Sequence, residues 1–314
     1  MSAEVRVYTE ADVFQNLRLD VVIDAVEAAF TREHDGTAHD IPKTMAIWGP
    51  ASSAHALGAV DVGASLVAFK TWVNTPNGAA AVATVFDAED GHLHAVVQAG
   101  VLGALRTAAV AGVATRWLAA ADADEFAIVG TGRQALPQVL AVHAVRPLRR
   151  VRVWSPRAER RAAFAEQIEQ AIAVPASAET TLGGAVTGAG IVTLVTRATE
   201  PFLDADDLDP GAHLNAVGAI LPANAEFTPA LLGSAQLTVV DNLANARKSS
   251  RELREFFCED WSAVATLADV VTGGAGRDGN DPRPTVFKPL GMGLADLAAL
   301  TAFLRVVEQT SAVR

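Results

Sequence analysis

Cysteine is nearly absent. Cys258 is the single cysteine among 314 residues, so no internal disulfide can form, and a reducing cytoplasm is the compartment the chain suits. With no nucleophile signature around it, that thiol reads as an ordinary residue. Long apolar runs are missing as well. No stretch of about twenty uncharged apolar residues occurs, so no membrane-spanning helix is expected. Met1–Glu10 carries Glu4, Arg6 and Glu10 where a signal peptide would need an apolar segment. Positive charge is in deficit too. A formal charge of −11 disfavours nucleic acid or an anionic membrane as the main partner, because neither is neutralised by such a surface. A small anion in a local basic pocket remains open. Heptads, short repeats and a low-complexity tail are likewise lacking.

What the chain does contain is 50% hydrophobic and 19% charged residues, which over this length suits two packed domains. One stretch organises the second of them. Glu125-Phe126-Ala127-Ile128-Val129 reads as an apolar strand and runs into the Gly-x-Gly-x-x-Ala turn Gly130-Thr131-Gly132-Arg133-Gln134-Ala135. A helix follows, with Leu136, Val139, Leu140 and His143 at helical spacing. Gly130 permits a tight turn and Gly132 lets backbone approach a pyrophosphate. Ala135 lets helix pack closely on sheet, and the N–H groups at the helix start face the anion. The alternative is a glycine-rich turn with no ligand, but strand before and helix after favour a dinucleotide.

The tip of the next strand, Val151–Trp154, bears on which dinucleotide. NAD-selective sites of this kind place an acidic residue there for the ribose 2′-hydroxyl. Trp154-Ser155-Pro156-Arg157 offers a hydroxyl and a guanidinium instead, which suits a 2′-phosphate through charge-assisted hydrogen bonds. NADP(H) is therefore expected to be preferred, with NAD(H) possible; the alternative leaves Arg157 as a solvated residue in the first turn of a helix to about Ile172. Strands at Ile191–Val195, His213–Val217 and Leu237–Asp241 end in turns. Ligands of an open parallel sheet lie beyond the carboxyl ends of its strands, so Thr196, Arg197 and Ala198 with Val217 and Gly218 should line the cofactor cleft.

Ahead of this lies a different text. Leu19–Phe30 reads as an amphipathic helix with Asp20 as a possible cap, its apolar face Val22, Ile23, Val26, Ala29 and Phe30. Thr44–Trp48, Ser65–Val73 and Ala81–Phe86 read as strands, Asp87–Gly91 as a hairpin turn before His92–Gln98, and Arg106–Ala120 as a helix of small residues. Ala121–Asp124 is a polar break, placed as the domain boundary. His92 and His94 could share a strand face, but a metal needs further ligands, so none is expected. Lys70 and Arg106 each follow an apolar run. Buried cations need a partner, so they either snorkel to water or converge on an anion.

Phe69-Lys70, Leu105-Arg106-Thr107-Ala108-Ala109, the glycine turn, Pro210–Gly218, and Phe287-Lys288-Pro289-Leu290-Gly291-Met292 with Asp296 fall in an order that resembles the ornithine cyclodeaminase and mu-crystallin family across almost the whole chain. The resemblance implies an α/β protein in which a Rossmann-type doubly wound parallel sheet, 122–284, is inserted into an α/β substrate-binding and dimerisation domain, 1–121 completed by 285–314. It implies a homodimer and hydride transfer between nicotinamide and the α-carbon of a small amino or imino acid. Lys70 corresponds to the family's active-site lysine and Arg106 to its carboxylate-binding arginine. Lys43 stands where many members have a second arginine, and His55 where cyclodeaminases carry an acid. Thr107, Leu290 and Gly291 join the cofactor-binding positions. The departures matter. Ile220 stands where cyclodeaminases have a catalytic aspartate and crystallin-like members a serine, and Pro289 replaces a common serine. The expectation is therefore an imine reductase or amino acid dehydrogenase; the alternatives are a true ornithine cyclodeaminase, forming proline and ammonia, and a non-catalytic NADPH-gated binding protein. Trp48, Trp72, Val73 and Asn74 are candidate pocket walls or ordinary core.

Overall fold

A computed structural model describes residues 5–49 and 51–312; Met1–Glu4 of the leader reading lie outside the described residues. The chain divides into two compact units, Met1–Ala109 with Met292–Arg314, and Val110–Gly291.

Over the described residues the first unit holds a six-stranded sheet. Its strands are β1 (Arg6–Tyr8), β2 (Ala38–Trp48), β3 (Ser52–Asp61), β4 (Leu66–Thr75), β5 (Gly78–Asp87) and β6 (Leu93–Gln98), in the order β1-β6-β5-β4-β3-β2. The edge pair β1/β6 is parallel and the other pairs are antiparallel. β3 had no strand reading of its own. Its Ala-Gly-rich text has poor strand propensity, and it is strand because β2 and β4 pair with both of its edges. The helix Leu19–His34 buries the expected Val22, Ile23, Val26, Ala29 and Phe30. Its N-cap is Arg18, not Asp20, which sits in the first turn and pairs with the Arg18 guanidinium. The small-residue helix runs Gly100–Leu118, six residues earlier than expected. Glu10 explains the early start, since its carboxylate accepts from the Gly100 and Val101 N–H groups at 2.6 and 2.7 Å.

The second unit is an eight-stranded, all-parallel sheet over the described residues. Its strands are β7 (Glu125–Val129), β8 (Arg150–Trp154), β9 (Ala176–Ala178), β10 (Ile191–Leu194), β11 (His213–Ala216), β12 (Leu237–Val240), β13 (Val264–Thr266) and β14 (Thr285–Lys288), ordered β13-β12-β14-β11-β10-β7-β8-β9. The order reverses between β7 and β10, the switch point where ligands of such sheets bind. Both faces are covered. On β7, Phe126 and Ile128 enter one core with Val139, Val142, Phe164 and Ile168. Ala127 and Val129 enter another with Leu203, Phe227, Leu231 and Leu253.

Two expected boundaries move. The polar break at Ala121–Asp124 is not the division, because the helix Gly100–Leu118 runs across it at 109/110. Residues 285–291 belong to the second unit rather than the first: β14 lies between β11 and β12 and pairs with both. A four-residue strand, Thr-Val-Phe-Lys, carries too little pattern to show which sheet will pair with it. The closing helix Gly293–Ala312 packs in the first unit on the helix Leu19–His34 and on β3 and β4. No helix among the described residues is long and apolar enough to cross a membrane.

Candidate functional site

In the first unit, the pairing of His55 with Trp72 and of Leu57 with Lys70 puts these side chains on one face of β3 and β4. The ring of His55 stacks on Trp72 at 4.6 Å and 7°. Lys43 and Lys70 bring their ammonium groups to 5.2 Å from the centre of the same indole. Lys70 is only 6% exposed, so it does not snorkel. It converges on an anion, and that anion is a protein carboxylate. Asp296, on the closing helix, accepts from Lys70 Nζ at 2.6 Å through Oδ1, and Arg106 Nε lies 3.1 Å from the same oxygen. Asp296 Oδ2 is buried without a hydrogen-bond partner.

Asp296, the partner of both cations, was legible in the sequence only as part of a motif. Its one local signal is a carboxylate in a helix that is otherwise apolar along this stretch, and its partner Lys70 is 226 positions away. Burial lowers the Lys70 pKa from 10.5 to about 8, opposed by Asp296 and reinforced by Arg106 and Lys43. Burial, with the Lys43 charge, also lowers the His55 pKa. His55 Nε2 lies 2.8 Å from Ser53 Oγ. Lys70 and Arg106 share one oxygen of Asp296, so two cations meet a single carboxylate there. The cluster suits a substrate carboxylate.

In the second unit, Gly130 has φ +116°, and a Cβ there would lie 2.7 Å from the Val195 carbonyl oxygen, so only glycine fits. A Cβ at Gly132 would meet nothing within 4 Å. The backbone at Gly132 is therefore open just ahead of the helix Ala135–Val145, which fits the close approach that a pyrophosphate needs. Ser155 is buried, with Oγ donating to the Arg157 carbonyl at 3.3 Å. Arg157 is exposed at the N-cap, one residue before the first turn of the helix Ala158–Ile172. Thr196 donates through N and Oγ1 to Glu226, both at 2.7 Å, and Ala198 N donates back to Thr196 Oγ1. Arg197 is exposed. Val217 and Gly218 both donate to the Leu194 carbonyl.

Two expected cofactor positions have their N–H groups occupied. Leu290 and Gly291 donate to the Asp241 carboxylate at 2.8 and 2.7 Å. Thr107 belongs to the first unit, and its Oγ1 donates to Gly103 O within its own helix. Ile220 is 46% exposed and follows Ala219, which sits at φ +51°. Among the described residues no group of three or more His, Cys, Asp or Glu side chains could hold a metal ion.

The fold and these clusters define an α/β protein with a Rossmann-type sheet in its second unit and a cation-rich, aromatic-lined cluster in its first. The sequence model of the ornithine cyclodeaminase/mu-crystallin family matches residues 3–311, and the chain belongs to that family. It is similar to the ketimine reductase mu-crystallin of Rattus norvegicus, 35% identical over 68% of this chain and 66% of the relative. It is also similar to a Delta(1)-pyrroline-2-carboxylate reductase of Bacillus cereus (strain ZK / E33L), 32% identical over 67% of this chain and 66% of the relative. The match thus spans slightly under two thirds of these relatives' own length. A solved structure of Thermococcus litoralis Delta(1)-pyrroline-2-carboxylate reductase in complex with NADH and L-proline shares the fold, with a TM-score of 0.91 over 98% of both chains at 24% identity.

Proposed function

We propose that this protein is an NAD(P)-dependent oxidoreductase acting on the C–N bond of a small α-imino or α-amino acid, as a ketimine reductase or amino acid dehydrogenase. The observation that carries this reading is the buried convergence of Lys70 and Arg106 on Asp296, with Lys43 across the Trp72 ring. Arg106 and Lys43 hold the substrate carboxylate and so fix the α-carbon. Lys70, held by its ion pair with Asp296, gives its proton to the imine nitrogen and regains one from water. His55, with its lowered pKa, is a weaker second acid or base. Gly130–Gln134, Ser155 and the Thr196–Ala198 and Val217–Gly218 turns would hold the dinucleotide, which when bound would supply or accept the hydride.

NADP(H) is the preferred cofactor, because the tip of β8 bears Ser155 and the exposed Arg157 and no carboxylate. Cyclodeaminase chemistry is disfavoured by Ile220, which can neither relay a proton nor bind an amine. A screen of cyclic and acyclic imino acids with NADPH and NADH, followed by the reverse reaction on amino acids, tests the reading. Reduction of at least one imino acid is expected, with tighter binding of NADPH. Tenfold tighter binding of NADH would overturn the cofactor preference, and release of proline and ammonia from ornithine would overturn the reductase.

A further inference from the structure

Three charged side chains in the second unit are wholly buried and have no part in the chemistry above: Glu226, Glu252 and Lys288, each 0% exposed. Lys288 Nζ donates to Gly218 O at 2.6 Å and lies 3.4 Å from both Ala219 O and Glu252 Oε1. Glu252 Oε1 also accepts from Glu226 N at 3.1 Å, and Glu252 Oε2 from Ser250 Oγ at 3.0 Å. Glu226 in turn accepts both Thr196 donors through Oε1, while its Oε2 has no partner. Burying ions is costly even when they are paired, and apolar residues of similar volume often serve stability as well or better. What this cluster achieves that an apolar core would not is directional attachment to backbone.

The backbone it attaches belongs to two loops, one after β10 and one after β11. A Cβ at Gly218 would lie 2.3 Å from both Glu226 Oε1 and Thr196 O, so the loops meet with no room for a side chain. The next residue, Ala219, is held in the left-handed region at φ +51°, a conformation that persists only when its surroundings impose it. Its carbonyl faces Lys288. Burial raises the Glu226 pKa, with Lys288 and Thr196 opposing.

We propose that Glu226, Glu252 and Lys288 form a buried brace that sets the Thr196–Ala198 and Val217–Ala219 loops in their dinucleotide-binding shape before the ligand arrives, making Glu226 and Lys288 positioning residues for cofactor affinity. This rests on the reading of those loops as part of the dinucleotide site. Without the brace, ordering the loops falls to the ligand and weakens its binding.

The test measures NADPH and NADH dissociation constants by calorimetry for the wild type, Glu226→Ala, Glu226→Gln and Lys288→Met. Glu226→Ala leaves Lys288 paired with Glu252, and Glu226→Gln keeps an acceptor for Thr196. Glu226→Ala is expected to weaken the preferred dinucleotide about tenfold or more, leave the imino acid KM at saturating dinucleotide unchanged, and be rescued by Glu226→Gln. Lys288→Met should weaken the dinucleotide likewise. A wild type that binds neither dinucleotide overturns the site reading and the brace with it. A cooperatively folded Glu226→Ala protein with wild-type affinity overturns the brace alone. Amide exchange in the unaltered protein decides the matter should the variants misfold. Thr196, Gly218 and Ala219 should exchange slowly without dinucleotide, and fast exchange slowed only by NADPH would refute pre-set loops.

Discussion

Lys70 loses its proton at about 8 instead of 10.5, because burial outweighs the nearby Asp296 and the charges of Arg106 and Lys43 add to it. If the ammonium form protonates the imine nitrogen, kcat/KM for imine reduction falls as pH rises through about 8, and amino acid oxidation rises over the same window. A pH–rate profile in both directions checks this. Lys70→Arg should lose roughly 10²–10⁴-fold in rate together with that limb of the profile. Arg106→Ala should abolish turnover while NADPH binding is largely kept; an unchanged catalytic efficiency would remove Arg106 from the site. At this scale the sequence showed that two cations in apolar text needed a partner. It could not name Asp296, since ion pairing is decided by which helix lands on which strand.

The closing helix is placed by contacts that tolerate no enlargement. A Cβ at Gly293 would lie 2.0 Å from Gly58 O on β3, and Asp40 on β2 accepts from the Gly293 and Leu294 N–H groups at 2.6 and 3.0 Å. Gly293→Ala should therefore destabilise the protein by about 1–3 kcal/mol or more, read by urea unfolding, and should lower activity by moving Asp296. A second element-level device joins β11 to β14: His213 is fully buried, 2.9 Å from Thr285 Oγ1 and 3.1 Å from Asn215 Oδ1. Burial depresses its pKa from 6.5 to about 3. The unfolded chain binds the extra proton between those values, so this contribution is complete above pH 6.5 and is lost progressively as pH falls toward 3. At pH 5 that amounts to about 2 kcal/mol. Unfolding at pH 7 and pH 5 should show a shallower pH dependence for His213→Gln than for the wild type. β7, β8, β10, β11 and β12 were legible as apolar runs ending in turns. β3 and β14 were not, since one is too poor in strand formers and the other, Thr-Val-Phe-Lys, carries nothing to show which sheet it joins.

In the first unit, a hollow of about 1040 Å³ on the sheet is lined by Thr44, Met45, His55, Trp72 and Val73 among others. Met45, Ile47 and Trp48 nearby are 54%, 68% and 48% exposed. The exposed apolar surface of Met45, Ile47 and Trp48 marks a contact site beside the His55–Trp72 pocket, and its expected partner is a second copy of the chain. Light scattering should give twice 32.7 kDa, and Ile47→Asp should shift the mass toward the monomer; a monomeric wild type would refute the dimer. Local sequence by itself determined the glycine turn, the continuous apolar run that buries β7 on both faces, and the lack of an acid at the tip of β8, because each depends on residues within a few positions of one another. Only the tertiary structure decided that Asp296 meets Lys70 and Arg106, that β14 enters the Rossmann-type sheet, and that Lys288 reaches the turn before Ile220. Those juxtapositions join residues far apart in the chain, 226 positions for Lys70 and Asp296 and 70 for Lys288 and Gly218, and they exist only once the sheets have chosen their strand order.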